Sequence, residues 1–200
     1  LPDNATGEDG SRGTPSIPAW NSGDWIELGS DNNDATTDAA DILNADSGSR
    51  TDNLMYYDDG SEFFYFMFFL EADPNAGSTT YSVLMNDGAS DDNYDWVIAS
   101  YGTGEMRIYE WKAWSEWAIS YVQTTSSYYR YSTTNNQEHV AFAVPYSEAF
   151  TPTTGDFFKA ATSDSGYREY QTGDWVSTRN PEPAASVGDF TTAAAIPEFS

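Results

Sequence analysis

The chain has 200 residues and sets 32 Asp plus Glu against 8 Lys plus Arg, a formal net charge of −24. That length is one domain, or one domain with tails, and is enough to bury a real core. So strong a negative field repels phosphates and anionic membrane surfaces and sets nucleic acid aside as a partner, while the absence of cysteine excludes disulfides and thiolate metal sites.

Cations are the natural counter-partners of such a chain. The carboxylate excess has a plain reading, solubility in a salty habitat, and a sharper one, divalent metal held between carboxylates that otherwise repel. Trp, Tyr and Phe make up 16% of the residues, which favours strands over helices.

Residues 1–18 are polar, Pro/Gly-rich and without periodicity, so they read as an arm; Asn4-Ala5-Thr6 within it is the glycosylation sequon. A first short strand is predicted over Asp24–Leu28. Residues 29–52 follow as a loop region dense in Asp and Asn around the apolar pair Ile42-Leu43. Asn53–Asp58 and Glu62–Leu70 flank Asp59-Gly60, a dipeptide suited to a tight hairpin turn. The run Phe63-Phe64-Tyr65-Phe66-Met67-Phe68-Phe69-Leu70 has no polar face, so it is expected centrally in a sheet, packed on one side and sheltered on the other. It is too short for a membrane-spanning helix. Further strands are predicted over 79–86, 94–101, 105–112, 116–124, 128–132, 138–144 and 156–162, most separated by Gly, Asp, Asn or Ser. Residues 145–150 suit one helical turn, and Trp175-Val176-Ser177 a last strand. Residues 181–200 form a C-terminal arm whose sticky residues are Val187, Phe190, Ile196 and Phe199. The expected fold is an all-β antiparallel sandwich, jelly-roll-like, over residues 19–180, with extended arms at both ends.

The closing Ile196-Pro197-Glu198-Phe199, after a Gly/Ala/Thr-rich spacer, resembles the recognition signal of archaeal exported proteins that an archaeosortase processes. Together with a first residue, Leu1, that is not methionine, it implies a mature extracellular or cell-surface chain after signal-peptide removal. The order of elements also resembles sandwich modules of the DOMON and family-9 carbohydrate-binding type. That likeness rests on Asn53-Leu54-Met55-Tyr56-Tyr57 leading into Phe63–Leu70, on Tyr81-Ser82-Val83-Leu84-Met85-Asn86-Asp87-Gly88, and on Glu138-His139-Val140-Ala141-Phe142-Ala143-Val144-Pro145. The plan is similar to that of the calcium-dependent tubular proteins of thermophilic archaea, the cannulae, which implies self-assembly through exchanged strands. Haem, bound by some DOMON members, has no suitable Met and His pair here, because His139 is the sole histidine.

The best candidate for Ca2+ is Asn86, Asp87, Asp91, Asp92 and Asp95, in the turn after a strand where carbonyls can complete an oxygen shell. A second is Asp31, Asp34, Asp38 and Asp41, joined by Asp58 and Asp59 of the hairpin. For both, the competing reading is an Asp/Asn turn with no metal. Tyr109, Trp111, Trp114 and Trp117 are candidates for a sugar-stacking platform, with packing in a core or between subunits the commoner role of such residues. For glycoside chemistry Glu110 and Glu116 could serve as acid and nucleophile but nothing singles them out, and neither a Glu-x-Asp-x-x-Glu run nor a Gly-x-Ser-x-Gly elbow occurs. His139 alternates with Val140, Phe142 and Val144 and is expected to point away from their face.

The sequence therefore points to a non-enzymatic extracellular structural subunit that self-assembles into a filament, tube, sheath or surface layer, with neighbouring copies as partners and Ca2+ as the bridging ion. The arms are expected to become ordered by docking on those neighbours. The alternative is a surface-displayed carbohydrate-binding module that grips glycan through Trp111, Trp114 or Trp117.

Overall fold

The computed structural model describes residues 13–30, 42, 53–70, 72–74, 79–86, 95–101, 104–112, 116–134, 137–146, 148, 152, 156–163 and 194–195. These form eleven strands: β1 Ile26–Ser30, β2 Asn53–Asp58, β3 Phe63–Phe69, β4 Thr80–Asn86, β5 Trp96–Tyr101, β6 Glu105–Lys112, β7 Glu116–Gln123, β8 Tyr129–Ser132, β9 His139–Pro145, β10 Phe157–Ser163 and β11 Ala194–Ala195. No described residue is helical. One sheet runs β1-β2-β3-β9-β8 and the other β11-β10-β4-β5-β6-β7, with antiparallel pairing throughout. The protein is thus a β-sandwich.

The alternation of side chains along each strand places the core. Phe64, Phe66 and Phe68 of β3, with Val140, Phe142 and Val144 of β9, meet Tyr81, Val83, Met85, Ile98, Met106, Ile108, Tyr121 and Phe158 of the opposite sheet. Phe66 and Phe158 approach to 4.9 Å between ring centroids, and Tyr56 lies stacked on Phe158 at 6.1 Å. The odd-numbered residues of β3 face outward, yet they are buried too. Phe63, Tyr65, Met67 and Phe69 form a second cluster with Trp25, Met55, Ala141 and Ala143, and Ile17, Trp20, Tyr57 and Tyr128 pack against it.

The shelter predicted for β3 is therefore the chain's own N-terminal segment, and this corrects the expectation that residues 13–18 belong to an arm outside the body. Pro15 is buried and Ile17 half-buried, and the Gly13 N–H donates to Glu62 Oε2 at 2.9 Å. Trp20 meets Phe69 edge-on at 6.1 Å. The first strand also begins two residues later than predicted, because Asp24 and Trp25 belong to the turn before it: Ser22 N–H donates to the Ala19 carbonyl at 2.9 Å, as does the Trp25 indole. At the other end β11 adds to β10, with Phe157 opposite Ala195 and Phe158 opposite Ala194. The described parts of both terminal segments thus dock on their own chain, which removes the argument that ordered termini require a neighbour. The predicted strand Trp175-Val176-Ser177 and the residues Val187, Phe190, Ile196 and Phe199 lie outside the described residues. Of the segment 145–150, expected to make one helical turn, Tyr146 and Glu148 are described in a turn closed by Glu148 N–H to the Pro145 carbonyl at 3.1 Å, and residues 147, 149 and 150 lie outside the described residues.

Candidate functional site

The first predicted metal cluster is described only at its two ends. Asn86 closes β4 with its side chain fully buried, and Asp95 is held beside it by an N–H bond to the Met85 carbonyl of 2.8 Å. The backbone therefore brings the base of this connection together; Asp87, Asp91 and Asp92 lie outside the described residues. So do Asp31, Asp34, Asp38 and Asp41 of the second cluster, and Asn4 of the sequon. Among the described residues no three His, Asp or Glu side chains gather in a way that could hold a metal ion.

Asp58 and Asp59, offered as helpers to the second cluster, are taken up by the hairpin itself. Asp59 Oδ1 accepts N–H bonds from Ser61, Glu62 and Phe63 at 2.8, 3.0 and 3.1 Å, and Oδ2 accepts the Tyr65 hydroxyl at 3.3 Å. Burial pushes this carboxyl up, but the Ser61, Phe63 and Glu62 donors outweigh it and hold the acid below its ordinary value. Asp58 accepts the Gly60 N–H at 2.7 Å and the hydroxyls of Tyr146 and Tyr56, the latter at 3.3 Å. Burial, and then the neighbouring Asp58, raise the Tyr56 phenol far above its usual range, and burial with the Asp58 bond does the same for Tyr146. Both tyrosines stay protonated donors, and this cluster ties the hairpin to the turn after β9.

The tryptophan candidates sit on the β6–β7 hairpin. Trp111 lies directly opposite Trp117, and Lys112 opposite Glu116; Trp114 falls in the connection, outside the described residues. Tyr109 is fully buried and cannot present a ring to a sugar. Glu110 stands opposite Trp96 on one side and Ala118 on the other, and Glu116 lies two residues along β7 from Ala118.

The constellation that the sequence reading missed surrounds the histidine. His139 does point away from the inner core, meeting Phe69 edge-on at 5.6 Å on the outer face. Its Nδ1 lies 2.7 Å from the Gln137 carbonyl, which fixes the proton on that nitrogen, and Nε2 then accepts from Arg130 Nε at 3.0 Å. With both ring nitrogens engaged, His139 is not placed as a base for a serine. Burial holds the imidazole down at about 4, with the Arg130 charge adding to the effect and Gln137 opposing it. The rest of the Arg130 guanidinium reaches the N-terminal segment: Nη2 donates to the Pro18 carbonyl at 2.8 Å and Nη1 to the Ile17 carbonyl at 3.3 Å. A signal for this was present, since cations are scarce in this chain and Arg130 lies on a short strand predicted immediately before the one holding the sole histidine. Comparison of the chain with protein-family models, with curated proteins and with solved structures finds no match, so any functional reading rests on the residues just described.

Proposed function

We propose that the protein is an extracellular structural subunit that joins copies of itself by strand exchange at a sheet edge, with Ca2+ bridging its carboxylates. The observation that supports this reading is the added strand at β10: a two-residue piece of the C-terminal segment, far along the chain from Ser163, docks in antiparallel register on Phe157 and Phe158. Such a contact is local and modular. The same segment from a second copy makes the same hydrogen bonds, and a chain that donates at one end and accepts at another forms head-to-tail contacts that need not close into a ring. At the opposite end of that sheet stands β7, eight residues long and the terminal strand of the described ladder, a second edge that a neighbour can cover. The −24 charge opposes association in low salt and makes it responsive to divalent cations.

Electron microscopy and light scattering of the full chain, with Ca2+ and with chelator, test the reading. Polymers are expected with Ca2+ and monomers without it, and Ala195→Pro, which removes an N–H from the added strand, is expected to lower the polymer yield. Monodisperse particles under both conditions defeat it. A second reading, a glycan-binding module, is favoured by the cross-strand pairing of Trp111 with Trp117 on the β6–β7 hairpin. Glycan retention that Trp111→Ala and Trp117→Ala abolish, in a chain that stays monomeric, selects it instead.

A further inference from the structure

We propose that Arg130 and His139 form an acid-released latch: neutral His139 aims the guanidinium at the Ile17 and Pro18 carbonyls, and a proton on His139 drives it off and frees the strap of residues 13–25 from the aromatic outer face of the first sheet. The proposal is independent of whether the chain assembles.

Its basis is how the strap is held. It crosses β3 and β9 with apolar anchors at Pro15, Ile17, Trp20 and Trp25, and with polar ties at Glu62, at Tyr65 through the Ser16 backbone, and at Arg130. Among the described residues, the Arg130 tie alone grips two consecutive carbonyls of the strap. Arg130 makes these bonds from a half-buried position, and its third partner is an imidazole nitrogen at 3.0 Å, where other chains commonly use a carboxylate. A neutral imidazole can accept that bond because Gln137 fixes the proton on the other nitrogen. An imidazolium cannot: Nε2 then carries a proton, and two cations face each other across the same distance. The surroundings do little to relieve this. From β8 the facing charge is Arg130 itself; from β3 the neighbour is the Phe69 ring; from the strap come two carbonyls; from the segment before β9 comes the Gln137 carbonyl. Among the described residues Glu138, adjacent in sequence, is the acid that favours the charged form, and its attraction together with that of the Gln137 carbonyl is outweighed by burial and by Arg130.

Opening the latch returns the ring to water and to its ordinary affinity for protons. The open state therefore gains up to about ten-fold in population for each pH unit below the ordinary histidine value, until the closed form itself is protonated at about 4. What opening uncovers is Phe63, Tyr65, Met67 and Phe69, an apolar patch absent from the closed molecule.

Nuclear magnetic resonance of the full chain between neutral pH and about pH 3 tests the latch. The imidazole signals belong to one residue, since the chain has a single histidine, and the Trp20 indole signal is assigned by its loss in Trp20→Phe. The expected result is that His139 titration and the movement of Trp20 share a midpoint, with a dye for apolar surface binding over the same range while core amides of β4 stay protected. His139→Gln keeps an acceptor for Arg130 and does not titrate, so it is expected to hold Trp20 in place through that range. Arg130→Met is expected to release Trp20 at neutral pH. The proposal is overturned by Trp20 moving at a pH where His139 does not titrate, by an unchanged acid midpoint in His139→Gln, by an unmoved Trp20 in Arg130→Met, or by loss of β4 protection together with the strap. Should His139→Gln not fold, coincidence or separation of the two wild-type midpoints decides the matter.

Discussion

Gly60 and Gly104 both adopt positive φ, 71° and 89°, but their surroundings differ. A Cβ at Gly60 meets nothing within 4 Å, whereas one at Gly104 sits 2.7 Å from the Tyr129 hydroxyl oxygen. Gly60→Ala is therefore expected to cost the backbone strain alone, about 1–2 kcal/mol, and Gly60→Asn less. Gly104→Ala is expected to cost more than Gly60→Ala, because Tyr129 has to move as well; urea unfolding of the three variants checks the order. Asp59 makes a prediction with a sign. Its carboxyl is held below the unfolded value, so the stability it contributes is present above the ordinary carboxylate range and is lost as pH falls through its lower folded value. The stability gap between the wild type and Asp59→Asn is expected to shrink from about pH 6 to pH 3. A gap that stays constant between those pH values would show that the turn's donors do not distinguish carboxylate from amide.

At the scale of elements, β3 is the strand on which the others depend, covered by the opposite sheet on one face and by the N-terminal strap on the other. Phe66→Ala, which empties a site between Tyr56 and Phe158, is expected to cost about 3–5 kcal/mol. Phe69→Ala is expected to cost less, since Trp20 above it can settle into the gap; chemical denaturation measures both. The strands themselves were legible because apolar runs end at Gly, Asp, Asn and Ser: Asn53–Asp58 and Glu105–Lys112 form over the predicted residues, and most others within one or two. Their neighbours in space were not. β9 inserts between β3 and β8, and β10 docks on β4, pairings chosen by which faces fit together and written in no local pattern. The requirement that β3 be sheltered could be read from Phe63, Tyr65, Met67 and Phe69, but not the identity of its cover, because Pro15, Ile17 and Trp20 are too sparse to show periodicity. Of the latch, Arg130 and His139 left a signal in the sequence, but their partners did not, because the Ile17 and Pro18 carbonyls carry no residue signature.

For the whole molecule the dominant long-range term is self-repulsion from a net charge of −24. Added salt shortens the reach of that field to about 3 Å at 1 M from about 30 Å at 0.01 M. The thermal midpoint is therefore expected to rise with NaCl, and to rise further at equal ionic strength if Ca2+ engages carboxylates at close range; differential scanning calorimetry separates the two, and a midpoint indifferent to salt would mean that the repulsion is balanced locally. The layout of β3 also bears on how the protein is made. Phe66 pairs with Phe142 and stacks near Phe158, so the aromatic strand emerges early in synthesis while the partners for its inner face come much later. Until they arrive, a run of eight apolar residues stands naked in the growing polypeptide, a sticky template for aggregation. The surplus of negative charge on the surrounding polypeptide gives nascent copies mutual electrostatic distance during that interval.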